Sequence, residues 1–96
     1  MAATIREQLR EALRGRPKTA FELSQALHQS EKEIVEHLVH LRRSLPRQGL
    51  ALHVVPARCK ACDETFADRD RLTRPSRCPT CKSERIEPPA FAVERT

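Results

Sequence analysis

Cys59-Lys60-Ala61-Cys62 and Cys78-Pro79-Thr80-Cys81 decide how this chain is read, because they hold all four of its cysteines. They are two C-x2-C knuckles 15 residues apart, a spacing typical of zinc sites built from paired knuckles. A C-x2-C turn aims two thiolates at one point, and two such turns supply four soft ligands in a tetrahedron, the arrangement that suits Zn(II). A pair of disulfides is the alternative. The stretch from Met1 to Arg10 is charged and lacks the apolar core of a signal peptide, so a cytoplasmic chain is expected, and there such a pattern points to metal. Four thiolates close the coordination sphere and leave no position for water or substrate. Cys59, Cys62, Cys78 and Cys81 are therefore expected to hold one structural Zn(II).

Outward from the knuckles, 96 residues with 39% hydrophobic content amount to one small globular unit or two very small ones. With no Trp, no Tyr and three Phe, the core must be mostly aliphatic. The cysteine half has almost no core of its own and needs the metal as a staple. No apolar run is long enough for a membrane span. Of the formal charge of +5, residues 1–58 hold +4 and residues 59–96 hold +1. Four thiolates on one zinc ion would lower the total to about +3. The basic excess of the first half favours an anionic partner, nucleic acid being the usual one.

The first half reads as helices. Ile5, Leu9, Ala12 and Leu13 repeat at helical spacing behind Thr4 and stop at Gly15-Arg16-Pro17, giving a helix over about 5–14. Thr19 with Glu22 forms a capping box for a short second helix whose apolar side is Leu23, Ala26 and Leu27. Ser30 with Glu33 forms another. It opens a third helix whose stripe Ile34, Leu38, Leu41, Leu45 should face a core, ended by Pro46 and Gly49. Residues 50–55, Leu-Ala-Leu-His-Val-Val, read as a strand bounded by Pro56. Short β-prone stretches follow each knuckle, Glu64–Ala67 and Arg85–Glu87, and Phe91-Ala92-Val93 reads as a last strand. Three helices and a strand give the order of a winged helix-turn-helix, with only Arg47, Gln48 and Gly49 free for the turn of its wing.

These residues resemble a known arrangement. Thr19–Ser24 with Ser30–Leu41 is similar to the second and third helices of prokaryotic winged helix-turn-helix regulators. Val55–Cys62 with Arg77–Pro89 resembles a zinc ribbon. Together they look like predicted transcriptional regulators of archaea and some bacteria, in which such a domain is fused to a C-terminal ribbon. The resemblance implies an α+β chain, a small winged helix-turn-helix over 1–56 and a four-cysteine zinc ribbon over 57–96; with no flexible linker at Pro56-Ala57-Arg58, the two are expected to pack as one rigid body. The function that resemblance implies is DNA-binding transcriptional regulation, with double-stranded DNA as the partner. The competing metal reading is a rubredoxin-like iron site, but Asp63 and Lys82 stand where such sites usually carry Gly, and only Phe66 and Phe91 are available to pack nearby.

In a helix-turn-helix the start of the second motif helix enters the major groove. Here that start carries Glu31, Glu33 and Glu36, which repel phosphate. Arg42, Arg43 and Arg47 after helix three, and Arg14, Arg16 and Lys18 after helix one, are better phosphate candidates, with Gln29, Ser30 and Lys32 as polar contacts at the helix start. The rival function is a protein-interaction adaptor on transcription machinery, using the acidic helix start and a second stripe of Val35 and Val39. A homodimer through that stripe stays open, as does oxidation or metal sensing at the cysteines. No catalytic motif is visible, and two glycines exclude a Gly-rich phosphate loop. An enzyme is not expected, nor a small-molecule substrate. Metal removal is expected to unfold residues 59–96 and leave the helical half.

Overall fold

Three side-chain hydroxyls start three helices. In the computed structural model, which describes residues 4–66 and 72–96, Thr4 Oγ1 accepts the Glu7 N–H at 3.2 Å and opens α1, Ile5–Ala12. The expected extension to residue 14 fails because Arg14 N–H bonds Glu11 O at 3.2 Å, a tighter turn that ends the helix. Gly15 follows at φ 87, a left-handed conformation that favours glycine. Lys18–Thr19 form β1, and Thr19 caps α2, Ala20–Leu27, through the expected reciprocal box: Glu22 N–H to Thr19 Oγ1 and Thr19 N–H to Glu22 Oε1, both 3.1 Å. His28 closes α2 with φ 56, a left-handed cap that turns the chain within two residues to Ser30. Ser30 Oγ accepts the Glu33 N–H at 3.1 Å and starts α3, Glu31–Ser44. A 3-10 turn over Leu45–Gln48 and Gly49 at φ 72 then deliver the chain to β2, Leu50–Val55.

The two knuckles lie between β2 and the last strand. Arg58–Cys59 form β3 and Ile86–Glu87 form β4, paired antiparallel as a two-stranded ribbon. Ala90–Arg95 form β5. This strand does not stay with the ribbon. It runs antiparallel between β1 and β2, so the head is closed by a three-stranded sheet of order β1-β5-β2. No hairpin forms at Arg47–Gly49; β2 takes its partner from beyond the ribbon, with Leu52 opposite Val93 and Val54 opposite Phe91. The chain therefore leaves the head after residue 55 and returns to it at residue 90.

The head core follows the sequence stripes. Leu9, Leu13, Leu23, Ile34, Leu38, Leu41 and Leu45 are buried together, joined by Leu72 and Phe91 from the cysteine half. Phe91 packs here and not at the metal, and Val35 and Val39 are half-buried against the same core. Ala26 is exposed, since the eight-residue α2 buries only the stripe through Leu23 and Leu27. A second cluster, Ala57, Cys59, Cys78 and Ile86 with Phe66 against it, fills the ribbon. The expected stretch Glu64–Ala67 is an isolated bridge at Thr65, paired with Arg58, while Ala67 and the charged segment through Arg71 lie outside the described residues. Among the described residues no helix is long and apolar enough to cross a membrane.

Phe91 is fully buried in the core of a head whose helices lie more than 40 positions earlier in the chain. Phe91→Ala is expected to destabilise that head by about 3–5 kcal/mol, read as a fall in the denaturant midpoint of the helical circular dichroism. A change confined to the ribbon signals would contradict this packing.

Candidate metal centre

Each knuckle is built by the same backbone bonds. In the first, Asp63 N–H donates to Cys59 O at 2.9 Å and Cys59 N–H to Glu64 O at 2.8 Å. In the second, Lys82 N–H donates to Cys78 O at 2.8 Å and Cys78 N–H to Ser83 O at 2.9 Å. Asp63 and Lys82 take up φ 63 and φ 66, the left-handed turn that glycine would enter without strain. These turns point the backbone N–H groups of Ala61 and Cys62 at Cys59, of Thr80 and Cys81 at Cys78, of Glu64 at Cys62 and of Ser83 at Cys81. Such bonds orient thiolates toward a metal.

The sulfurs converge. Cys59 Sγ lies 3.5 Å from Cys81 Sγ, Cys62 Sγ lies 3.6 Å from Cys78 Sγ, and all four lie within 4.8 Å of one another. A tetrahedron with Zn–S bonds of about 2.3 Å has edges of about 3.8 Å, so the four positions fit one zinc ion. Disulfides, which need about 2.05 Å, are not formed, and all four cysteines are free. The electrostatics ask for a cation. Burial pushes the Cys59 thiol up, but the Cys62 and Ala61 N–H groups bring it below its ordinary value. The Cys81 N–H leads in drawing Cys78 down to about 7. At Cys62 the Glu64 N–H pulls down, yet burial and the sulfurs of Cys81, Cys78 and Cys59 drive it up to about 12. At Cys81 the Ser83 N–H also pulls down, and the Cys59 sulfur with burial raises it. Two inner thiolates are favoured and two outer ones opposed, because four negative sulfurs this close repel unless a dication sits among them. Cys59 and Cys78 are buried, whereas Cys62 and Cys81 face solvent. Phe66 is the aromatic packed on this cluster.

Sequence reasoning passed over Arg58. Its Nη1 meets Asp63 Oδ1 at 2.7 Å, and its Nε and Nη2 meet Glu87 Oε2 at 3.2 and 2.9 Å. It thus ties the first knuckle to β4, and the Glu87 bond raises its pKa. Its position directly before Cys59 was the available signal.

The basic candidates are spread over the head. Arg16 pairs with Glu22 at 2.9 Å, Lys18 Nζ donates to Ala12 O, and Arg14 meets Glu11 at 3.5 Å in solvent. Arg42 and Arg43 are exposed at the end of α3, and Arg47 in the 3-10 turn beyond. Gln29 is half-buried, its carbonyl accepting from Ser24 Oγ, and Ser30 is spent on its cap. Lys32 is exposed and lines a groove of about 560 Å³ between α2, α3 and the ribbon, together with Phe21, Val35, Leu72, Arg74 and Pro89.

Chelation of the metal is expected to collapse the amide dispersion of residues 57–66 and 72–89. Residues of α1–α3 and β5 should keep theirs, so the retained part extends past the helical half to the last strand; metal-free protein with an intact ribbon spectrum would contradict this. Lys82→Gly relieves a left-handed backbone and is expected to stabilise the zinc-loaded ribbon by up to about 1 kcal/mol, with one zinc per chain retained by elemental analysis.

Residues 4–53 match the family model described as PF0610-like, N-terminal. Residues 56–96 match the PF0610 rubredoxin-like zinc beta-ribbon domain. Among solved structures, the chain is similar to the solution NMR structure of protein PF0610 from Pyrococcus furiosus, with 36% identity and a TM-score of 0.81 over 100% of this chain and 93% of that one. No curated protein matches the chain. Head, ribbon and four converging sulfurs agree with both halves of that match, and the chain belongs to the PF0610-like family, an N-terminal PF0610-like domain joined to a rubredoxin-like zinc ribbon.

Proposed function

We propose that the protein is a DNA-binding transcriptional regulator, a winged helix-turn-helix in which the zinc ribbon stands where the wing would be. The observation that carries this reading is the strand order β1-β5-β2 behind the consecutive helices α2 and α3. A winged helix has this order, with its wing as the connection between the last two strands; here that connection is residues 56–89, the ribbon itself. The zinc is structural: bound, it supplies the cross-link that gives this connection a fixed shape. The basic excess of residues 1–58 supports an anionic partner for the head.

The start of α3 argues for backbone contact over base reading. Glu31, Lys32 and Glu36 line the groove shared with Arg74 and Pro88 of the ribbon, so a helix entering the major groove would bring two of its carboxylates toward phosphates. DNA contact is therefore assigned to arginines of the head away from this groove. The same groove supports the second reading, an adaptor on transcription machinery, because it is rimmed by Phe21, a side chain 57% exposed. Fluorescence anisotropy with mixed-sequence duplex DNA at two ionic strengths separates the two. Regulation through phosphate contacts predicts binding that weakens steeply with salt; no binding to any duplex at low salt would leave the adaptor.

A further inference from the structure

We propose that Arg10, Arg14 and Arg95 form a phosphate-binding site on the head, the place where duplex DNA lays its backbone; the assignment to DNA rests on the regulator reading above. The three guanidinium-bearing residues line one depression of about 270 Å³, with Leu50 and Val93 in its lining. They come from opposite ends of the chain, and the β5 register brings them together. Arg95 pairs with Leu50, Val93 with Leu52 and Phe91 with Val54. Side chains alternate along a strand, so Arg95 lies on the same face as Val93 and Phe91, which pack on the helical core. Val93 N–H also donates to Leu13 O at 3.0 Å, fixing the end of α1 beside this strand.

The charges there are weakly compensated. Arg10 donates to the Gln48 side chain, a neutral partner that offsets none of its charge. Arg14 meets Glu11 at 3.5 Å with both side chains about 70% exposed, a screened pair worth little. Among the described residues the Arg95 side chain has no hydrogen-bond or ion-pair partner. Glu94 also lines the depression, but strand alternation turns its side chain to the opposite face, where its carboxylate lies 3.7 Å from His53 Nδ1. Most carbonyls at the negative end of α1 already have donors: Leu9 O accepts from Leu13 N–H, Glu11 O from Arg14 N–H, Ala12 O from Lys18 and Leu13 O from Val93 N–H. The guanidinium groups are thus free of capping duty, and three cationic side chains lining one depression make it attractive to an anion. Planar N–H forks around one anion match phosphate. Of the sequence neighbours Arg14, Arg16 and Lys18, Arg14 lines this depression, while Arg16 pairs with Glu22 and Lys18 donates to Ala12 O.

Two measurements on the zinc-loaded full chain test this. Arginine Nε–Hε signals are followed by NMR during titration with inorganic pyrophosphate, and the slope of log Kd against log salt is measured for a short mixed-sequence duplex. Pyrophosphate is expected to shift Arg10, Arg14 and Arg95 but not Arg77. Arg14→Gln and Arg95→Gln should each lower the duplex slope by about 0.9, Arg14→Lys should restore most of it, and Arg77→Gln should leave it unchanged. Zinc content and circular dichroism check that each variant folds. Duplex binding with unaltered slopes in both Gln variants overturns the site while the regulator reading stands. Pyrophosphate shifts on the three arginines without duplex binding keep the site and remove the regulator reading. Neither response removes both.

Discussion

The backbone ladder of β5 holds the rest of the structure in place. Its six residues pair with β2 on one side and its first two with β1 on the other, and it carries Phe91 into a core otherwise made of leucine and isoleucine, apart from partly buried neighbours. Without it, β1 is a two-residue segment with nothing to bond, and β2 is an apolar strand with two open edges. The helices are well capped, but eight-residue helices such as α1 and α2 are too short to persist without tertiary packing. The sheet that covers them exists only because the chain comes back.

That return ties the ribbon to the head at both of its ends. The excursion from residue 56 to 89 is a long loop whose closure costs conformational entropy, and its own apolar cluster is small: Ala57, Ile86 and the two inner cysteines, with Phe66 alongside. Cross-linking it through four sulfurs lowers the conformational entropy lost in closing it. Leu72, buried among the head residues, then pins the ribbon against the helices and forms one wall of the groove at α3. The zinc site shapes the segment that separates β2 from its partner.

How much of this was legible depended on range along the chain. The caps at Thr4, Thr19 and Ser30, the stripe Ile34, Leu38, Leu41, Leu45 and the four ligands are all written in residues a few positions apart, and local physics decides them. The partner of β2 is not. Nothing in Leu50–Val55 says that Ala90–Arg95 will lie beside it, so the sequence left only Arg47–Gly49 for the turn of a small wing, where a 3-10 turn ends instead. Phe91 follows the knuckles in sequence and was available to pack beside the metal, but strand pairing carries it to the helices. The arginines show the same limit: neighbours in sequence, Arg14 and Arg16, turn to different partners, and Arg95 joins Arg14 only through the sheet.

A ribosome makes the three helices first, the knuckles next and β5 after them. The earliest segment therefore waits, with Leu9, Leu13, Leu23 and Leu38 uncovered, until the latest one arrives. During synthesis the head is an open hydrophobic surface, exposed to premature association, and the interval lasts as long as translation of the intervening residues. Metal supply in the cell enters the timing at that point, since a chain that captures its ion promptly delivers β5 to a shorter search.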